Sequence, residues 1–60
     1  MTPYLFNFLE KHFPGYINFF PDYPAIVQAD KELRSGKSII LHDLELLMDH
    51  GKIRAILHDE

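Results

Sequence analysis

The chain lacks cysteine altogether and has few glycines and few basic residues. Without cysteine it forms no disulfide and no thiolate metal site, two common supports of very small domains. The three glycines, at positions 15, 36 and 51, are too scattered for a phosphate-binding loop. Six bases against nine acids leave a net charge of −3, which disfavours affinity gained from phosphate neutralisation. We therefore do not expect direct binding to nucleic acid.

The sequence also lacks the long apolar runs and the basic leader that accompany membranes and secretion. No run approaches the ~18 apolar residues of a membrane span. The first residues carry no base, and Asn7 and Glu10 interrupt the early apolar positions. We expect a cytoplasmic protein that makes no membrane contact.

Large apolar residues, by contrast, are plentiful. Hydrophobic residues make up 47% of the 60 residues, and five of them are Phe and three are Tyr. A chain of this length buries only about 60% of its unfolded surface, so its own core is small. We expect a protein partner or a homo-oligomer, most simply a homodimer, to cover the remainder.

The first half of the chain predicts an aromatic helix and an aromatic connector. The helix is predicted over residues 3–13, and its apolar side chains from residue 4 to residue 13 cover an arc of about 200°, which is more than one neighbouring helix covers. The helix therefore either lies centrally in the core or presents an interface. Residues 16–20, which lie between prolines, predict either an extended segment or a helical turn. The predicted partner interface consists of Tyr4, Leu5, Phe8, Leu9, Phe13, Tyr16, Phe19, Phe20 and Tyr23.

The second half predicts two more helices and a short tail. Residues 23–35 form an amphipathic helix that begins at the N-cap Asp22. Residues 42–50 place Leu44, Leu47 and Met48 on one helical side. For residues 52–60 we favour helix or irregular structure, with a short strand pair to residues 38–41 as the alternative.

These elements predict a mainly α fold, a three-helix domain over residues 1–60 with a proline-rich connector. Glycine at positions 36 and 51 marks the expected ends of the second and third helices.

Nothing in the sequence has the pattern of a catalytic or metal site. His42, His50 and His58 each stand beside an aspartate, but a spacing of eight residues is too long for one helix to bring them to one ion. No G-x-S-x-G elbow surrounds either serine. We expect no enzyme activity, no cofactor and no metal, although an oligomer that shares a metal through these histidines is left open.

Residues 25–48 contain the run VQADKELRSGKSIILHDL (residues 27–44), which resembles a stretch of small bacterial antitoxins of the Phd/YefM and related types. In those proteins an amphipathic helix ends in a glycine-basic pair, and one or two aliphatic residues lead to a second short helix. The resemblance implies a small acidic protein whose helices occupy a groove of its partner.

The expected function is therefore a non-enzymatic, antitoxin-like interaction module that neutralises or regulates a partner through an aromatic helix face. Two alternative functions also use the aromatic face to contact another polypeptide. One is a phage-type inhibitor of a host or defence enzyme, and the other is a self-assembling structural or adaptor subunit.

Overall fold

Helices come first along the chain and strands last in the computed structural model, which describes residues 2–59. The strands form an antiparallel sheet in the order β1-β2-β3. Side chains from both α-helices meet one face of that sheet in a shared core. The elements are α1 (Tyr4–His12), a 3₁₀ helix (Pro14–Phe19), α2 (Tyr23–Arg34), β1 (Ile39–Leu41), β2 (Leu44–Asp49) and β3 (Lys52–Leu57).

The first two predicted helices are confirmed to within one residue at each end. Asp22 caps α2 as expected, because its carboxylate accepts the N–H of Ala25 at 3.0 Å. Gly36 follows the helix with a φ of 98°, a left-handed conformation that glycine adopts without a steric penalty. Local signals of this kind act within a few residues, so they can be read from the sequence.

The predicted mainly α fold is wrong, because residues 39–57 form the three-stranded sheet. Residues 42–50, predicted as a third helix, are a two-residue turn, β2 and the first residue of the next turn. The tail is neither helical nor irregular, since it contains β3. It does not pair with residues 38–41 either, because β2 lies between β1 and β3.

A tight turn explains why the second half is a hairpin. His50 and Gly51 both have positive φ, 53° and 79°. They connect Asp49 to Lys52, which are paired across β2 and β3. Two positive φ values in a two-residue loop are the requirement of a type I′ turn, whose twist matches that of the strands. The glycine that we interpreted as a helix end is instead part of this hairpin turn.

Leucines that alternate along β2 attach the sheet to the helices. Leu44 and Leu46 point to the same face and are fully buried. The helical side predicted for this segment had included Leu47, which lies on the opposite face. The core that results contains Leu5, Leu9, Ile26, Ala29, Leu33, Leu41, Leu44, Leu46 and Ile53.

One carboxylate is buried with this core and links the two α-helices. Asp30 of α2 is 8% exposed. Its Oδ1 accepts the N–H of Leu5 at 3.0 Å, and its Oδ2 lies 2.9 Å from Nε of Arg34. Residue 5 is in the first turn of α1, whose N–H groups have no partner within their own helix. Asp30 therefore caps α1 from the neighbouring helix.

Candidate protein-binding surface

The nine residues predicted as a partner interface do not form one surface. Leu5 and Leu9 have no exposed area and lie in the core, so they do not face a partner. This side of α1 therefore lies in the core, which was one of the two alternatives for the first helix. Phe20 is half-buried against the same core. The remaining aromatic residues lie farther out.

Six rings contact one another in a continuous series, which we call the aromatic row. It starts at the end of α1, follows the 3₁₀ helix and reaches the turn between β1 and β2. Successive ring centroids are 4.8, 6.1, 5.8, 5.5 and 5.7 Å apart. These distances lie in the range of favourable aromatic pairs. In order, the aromatic row contains His12, Phe8, Phe13, Tyr16, Phe19 and His42.

A hydrogen bond holds the middle of the aromatic row against the sheet. The hydroxyl of Tyr16 donates to Oδ1 of Asp43 at 2.6 Å. This bond lowers the pKa of Asp43 because it stabilises the carboxylate, and it raises the pKa of Tyr16 because the carboxylate favours the neutral phenol. The 3₁₀ helix and the β1–β2 turn are therefore tied together through groups far apart in the sequence.

His42 occupies an uncommon backbone conformation at the end of the aromatic row. Its φ is 59°, and only a few per cent of residues other than glycine have positive φ. Its ring lies nearly parallel to that of Phe19, at 22°, and its Nδ1 is 3.5 Å from Oδ1 of Asp43. The His42 ring therefore lies against the 3₁₀ helix, a contact that the sequence did not indicate.

Phe19 is the most exposed aromatic residue of the predicted interface, with 53% of its surface accessible. Tyr4 and Tyr23 are also exposed, at 39% and 48%. Tyr23 meets the edge of Phe6, with ring centroids 6.1 Å apart, and this pair is separate from the aromatic row. The candidate surface is therefore centred on Phe19, with Tyr16, His42 and Asp43 around it.

A second exposed surface, the outer face of the sheet, was missed from the sequence. Ile40, Glu45 and Ile56 stand side by side across the three strands, and Ile40 is 67% exposed. Nε2 of His58 lies 2.6 Å from a carboxylate oxygen of Glu45. The alternation of residues 44–49 and the pair His50-Gly51 together could have indicated this hairpin.

Three histidines each contact an acidic residue in the folded chain, but the three pairs do not form one cluster. His42, His50 and His58 contact Asp43, Asp49 and Glu45 respectively. Within residues 2–59, no group of three or more such side chains is arranged to hold a metal ion. The surface of that part of the chain contains no pocket.

Neither α-helix between residues 2 and 59 combines the length and the apolar character that crossing a bilayer requires.

Comparisons with models of protein families, with curated proteins and with solved structures found no match to this chain. The similarity to the antitoxin stretch thus stays a resemblance in sequence pattern. The first helix of that antitoxin stretch corresponds to α2 in this chain. The second helix that it implied is replaced by β2.

Proposed function

We propose that the chain is a non-enzymatic protein-interaction module that regulates or neutralises one partner, in the manner of an antitoxin. The observation that carries this proposal is the exposed ring of Phe19 at the end of the aromatic row. Aromatic residues are enriched in the centres of protein interfaces, where a few of them supply most of the affinity. The proposed contact is no longer a whole helix face but the 3₁₀ helix and the adjoining turn.

The packing around Phe19 supports its role as an anchor. The ring contacts the rings of both Tyr16 and His42. A side chain that is already ordered loses little rotamer freedom on binding, which leaves more of the burial energy for affinity. Complete burial of a phenylalanine is worth about 1.5–3 kcal/mol, and roughly half of this ring is still exposed. We expect Phe19 to contribute on the order of 1 kcal/mol from area alone.

The carboxylate of Asp43 beside the Phe19 ring indicates which side chain of the partner would contact this surface. The side chain of Asp43 is 45% exposed although it accepts the Tyr16 hydroxyl. An arginine can stack on an aromatic face and pair with a neighbouring carboxylate at the same time. We therefore expect the partner to place an arginine, or an apolar side chain with a base next to it, over Phe19 and Asp43.

The test is a photo-crosslinking experiment with two matched positions. A benzophenone side chain replaces Phe19 in one variant and Ile40, which is exposed on the outer sheet face, in the other. We expect position 19 to capture a protein that position 40 does not. The captured protein, purified, is then titrated against the unmodified chain and two serine variants.

Phe19→Ser should weaken that complex about fivefold, which is the change in affinity that corresponds to a loss of about 1 kcal/mol. Ile40→Ser should leave the affinity within about twofold, because rim and distal residues contribute little. Equal losses in the two variants, or a loss confined to Ile40→Ser, would contradict a contact through the aromatic row.

A further inference from the structure

β3 is an edge strand, and its hydrogen-bonding pattern can be worked out from the turn that precedes it. The loop between Asp49 and Lys52 has two residues, so these two exchange backbone hydrogen bonds. At the other end, the N–H of His58 donates to the carbonyl of Asp43 at 2.7 Å. Every second residue of β3 thus bonds to β2. The N–H and C=O groups of residues 53, 55 and 57 point away from the sheet.

Those outward groups are a template for another strand. Within residues 2–59, no backbone hydrogen bond from outside the sheet reaches Ile53, Ala55 or Leu57. An edge of this kind readily pairs with a second extended segment. Leu57 also presents apolar surface there, because 55% of it is exposed.

We propose that this edge binds a second copy of the same chain, with the two β3 strands antiparallel about a two-fold axis at Ala55. In this register Ala55 faces Ala55 of the second copy, and Ile53 faces Leu57. Each of these pairs uses the outward N–H and C=O groups, so all of them are satisfied. The product is a continuous six-stranded sheet with every helix on one side.

Charge favours antiparallel pairing of this strand with itself. Its bases, Lys52 and Arg54, lie at its beginning, whereas Asp59 follows its end. Antiparallel pairing places the basic beginning of one copy beside the acidic end of the other. Lys52 then lies opposite His58, whose ring contacts Glu45. The favourable contribution is the attraction between neighbouring strand ends of opposite charge, since the residue directly opposite Lys52 is a histidine and not an acid.

The same charges select the register. An axis at Arg54 would place two arginines directly opposite each other, and an axis at Ile53 would place Lys52 opposite Arg54. Like charges in those positions are destabilising. An axis at Ile56 avoids this clash, but it moves Ile53 opposite Asp59, beyond the end of β3. Only the axis at Ala55 pairs all three outward residues within the strand without placing one lysine or arginine opposite another.

The packing on the core-facing side fits the same register. Leu57 would extend the apolar surface of Ile53 across the new strand pair, and Ile53 is already part of the core. Alanine at the axis is small enough for two copies to meet there. A standard interface buries about 800 Å² per partner, and the whole surface of the described chain is 4350 Å². One strand edge buries less, so the dimer should depend on concentration from the micromolar to the millimolar range.

Single cysteines test the register directly, because the natural chain has none. In a hydrogen-bonded antiparallel pair, Cα atoms are about 5.5 Å apart, within the range that a disulfide spans. Residues 54 and 56 are offset from their own copies by two positions, which separates those Cα atoms by about 8 Å. Under mild oxidation, Ala55→Cys should form a covalent dimer, while the matched controls Arg54→Cys and Ile56→Cys should remain mostly monomeric.

Hydrogen exchange on the unaltered chain gives a second readout. The amides of residues 53, 55 and 57 should become protected as the concentration rises. The outward amide of Ile40, on the opposite edge of the sheet, should not change. Faster crosslinking of Arg54→Cys, or edge amides that stay unprotected at every concentration, would overturn the proposal. Neither measurement involves the aromatic row, so failure here leaves the proposed function standing.

Discussion

Replacing Asp30 by alanine should destabilise the whole domain, although Asp30 is a charged residue on a helix. The residue is 8% exposed, and its carboxylate accepts the buried N–H of Leu5. The alanine variant leaves that N–H without an acceptor in a place that water does not reach. It also removes the ion pair with Arg34.

The magnitude follows from these two contacts. A buried donor without a partner costs about 1–3 kcal/mol. The pair with Arg34 adds at most about 0.5 kcal/mol, because the arginine side chain is 63% exposed. We expect a total loss of about 1–3.5 kcal/mol, compared with a total stability of roughly 3–9 kcal/mol for 60 residues. The midpoint of thermal unfolding should fall by roughly 5–25 °C.

The assay is urea unfolding followed by circular dichroism, with two matched variants. Asp30→Asn keeps an oxygen that can accept the Leu5 N–H, so it should lose only about half as much as alanine. Arg34→Ala removes the exposed partner alone and should lose no more than about 0.5 kcal/mol. If Asp30→Ala were no less stable than Arg34→Ala, the cap from α2 to α1 would contribute nothing and the reasoning would fail.

Two further predictions concern the turns and the aromatic row. Gly51→Ala should lower the free energy of unfolding by about 1–2 kcal/mol, because its φ is 79°. The control Gly15→Ala should be neutral, since an added Cβ meets nothing there either and its φ is not positive; equal effects would contradict the turn assignment. Tyr16→Phe should reduce stability at neutral pH. The lowered pKa of Asp43 means that this contribution is present above its ordinary value of 3.8 and is lost as pH falls through the folded value, so the two unfolding curves should converge in acid. A difference that persists there would contradict the role of the Tyr16–Asp43 bond.

The first half of the fold could be predicted because its signals are local. A capping aspartate, a proline in the first turn and a glycine after the last turn fixed α2 to within one residue. The same kind of periodicity failed for residues 42–50. The spacing of Leu44 and Met48 fits both a helix and a strand. Only Leu46, which lies between them on the same strand face, and the turn at His50-Gly51 favour the strand.

The candidate surface was predicted only in part, for a similar reason. Phe19 and Tyr16 were chosen for their aromatic character, and both belong to the aromatic row. His42 and Asp43 could not be placed next to them, since they are more than twenty residues away and were assigned to a helix. Leu5 and Leu9 were included because a wide apolar arc does not reveal which part of it the core will cover.

The sequence by itself determined the two α-helices, the aromatic character of the connector and the excess of large apolar residues, because each depends on neighbours along the chain. The tertiary structure alone decided which apolar residues are buried, that the second half is a sheet, and that Tyr16 meets Asp43. Those outcomes depend on contacts between distant residues, whose energies outweigh local preferences once the core forms. For the same reason, the exposed edge of β3 and the ring of Phe19 became visible as surfaces only in the folded chain.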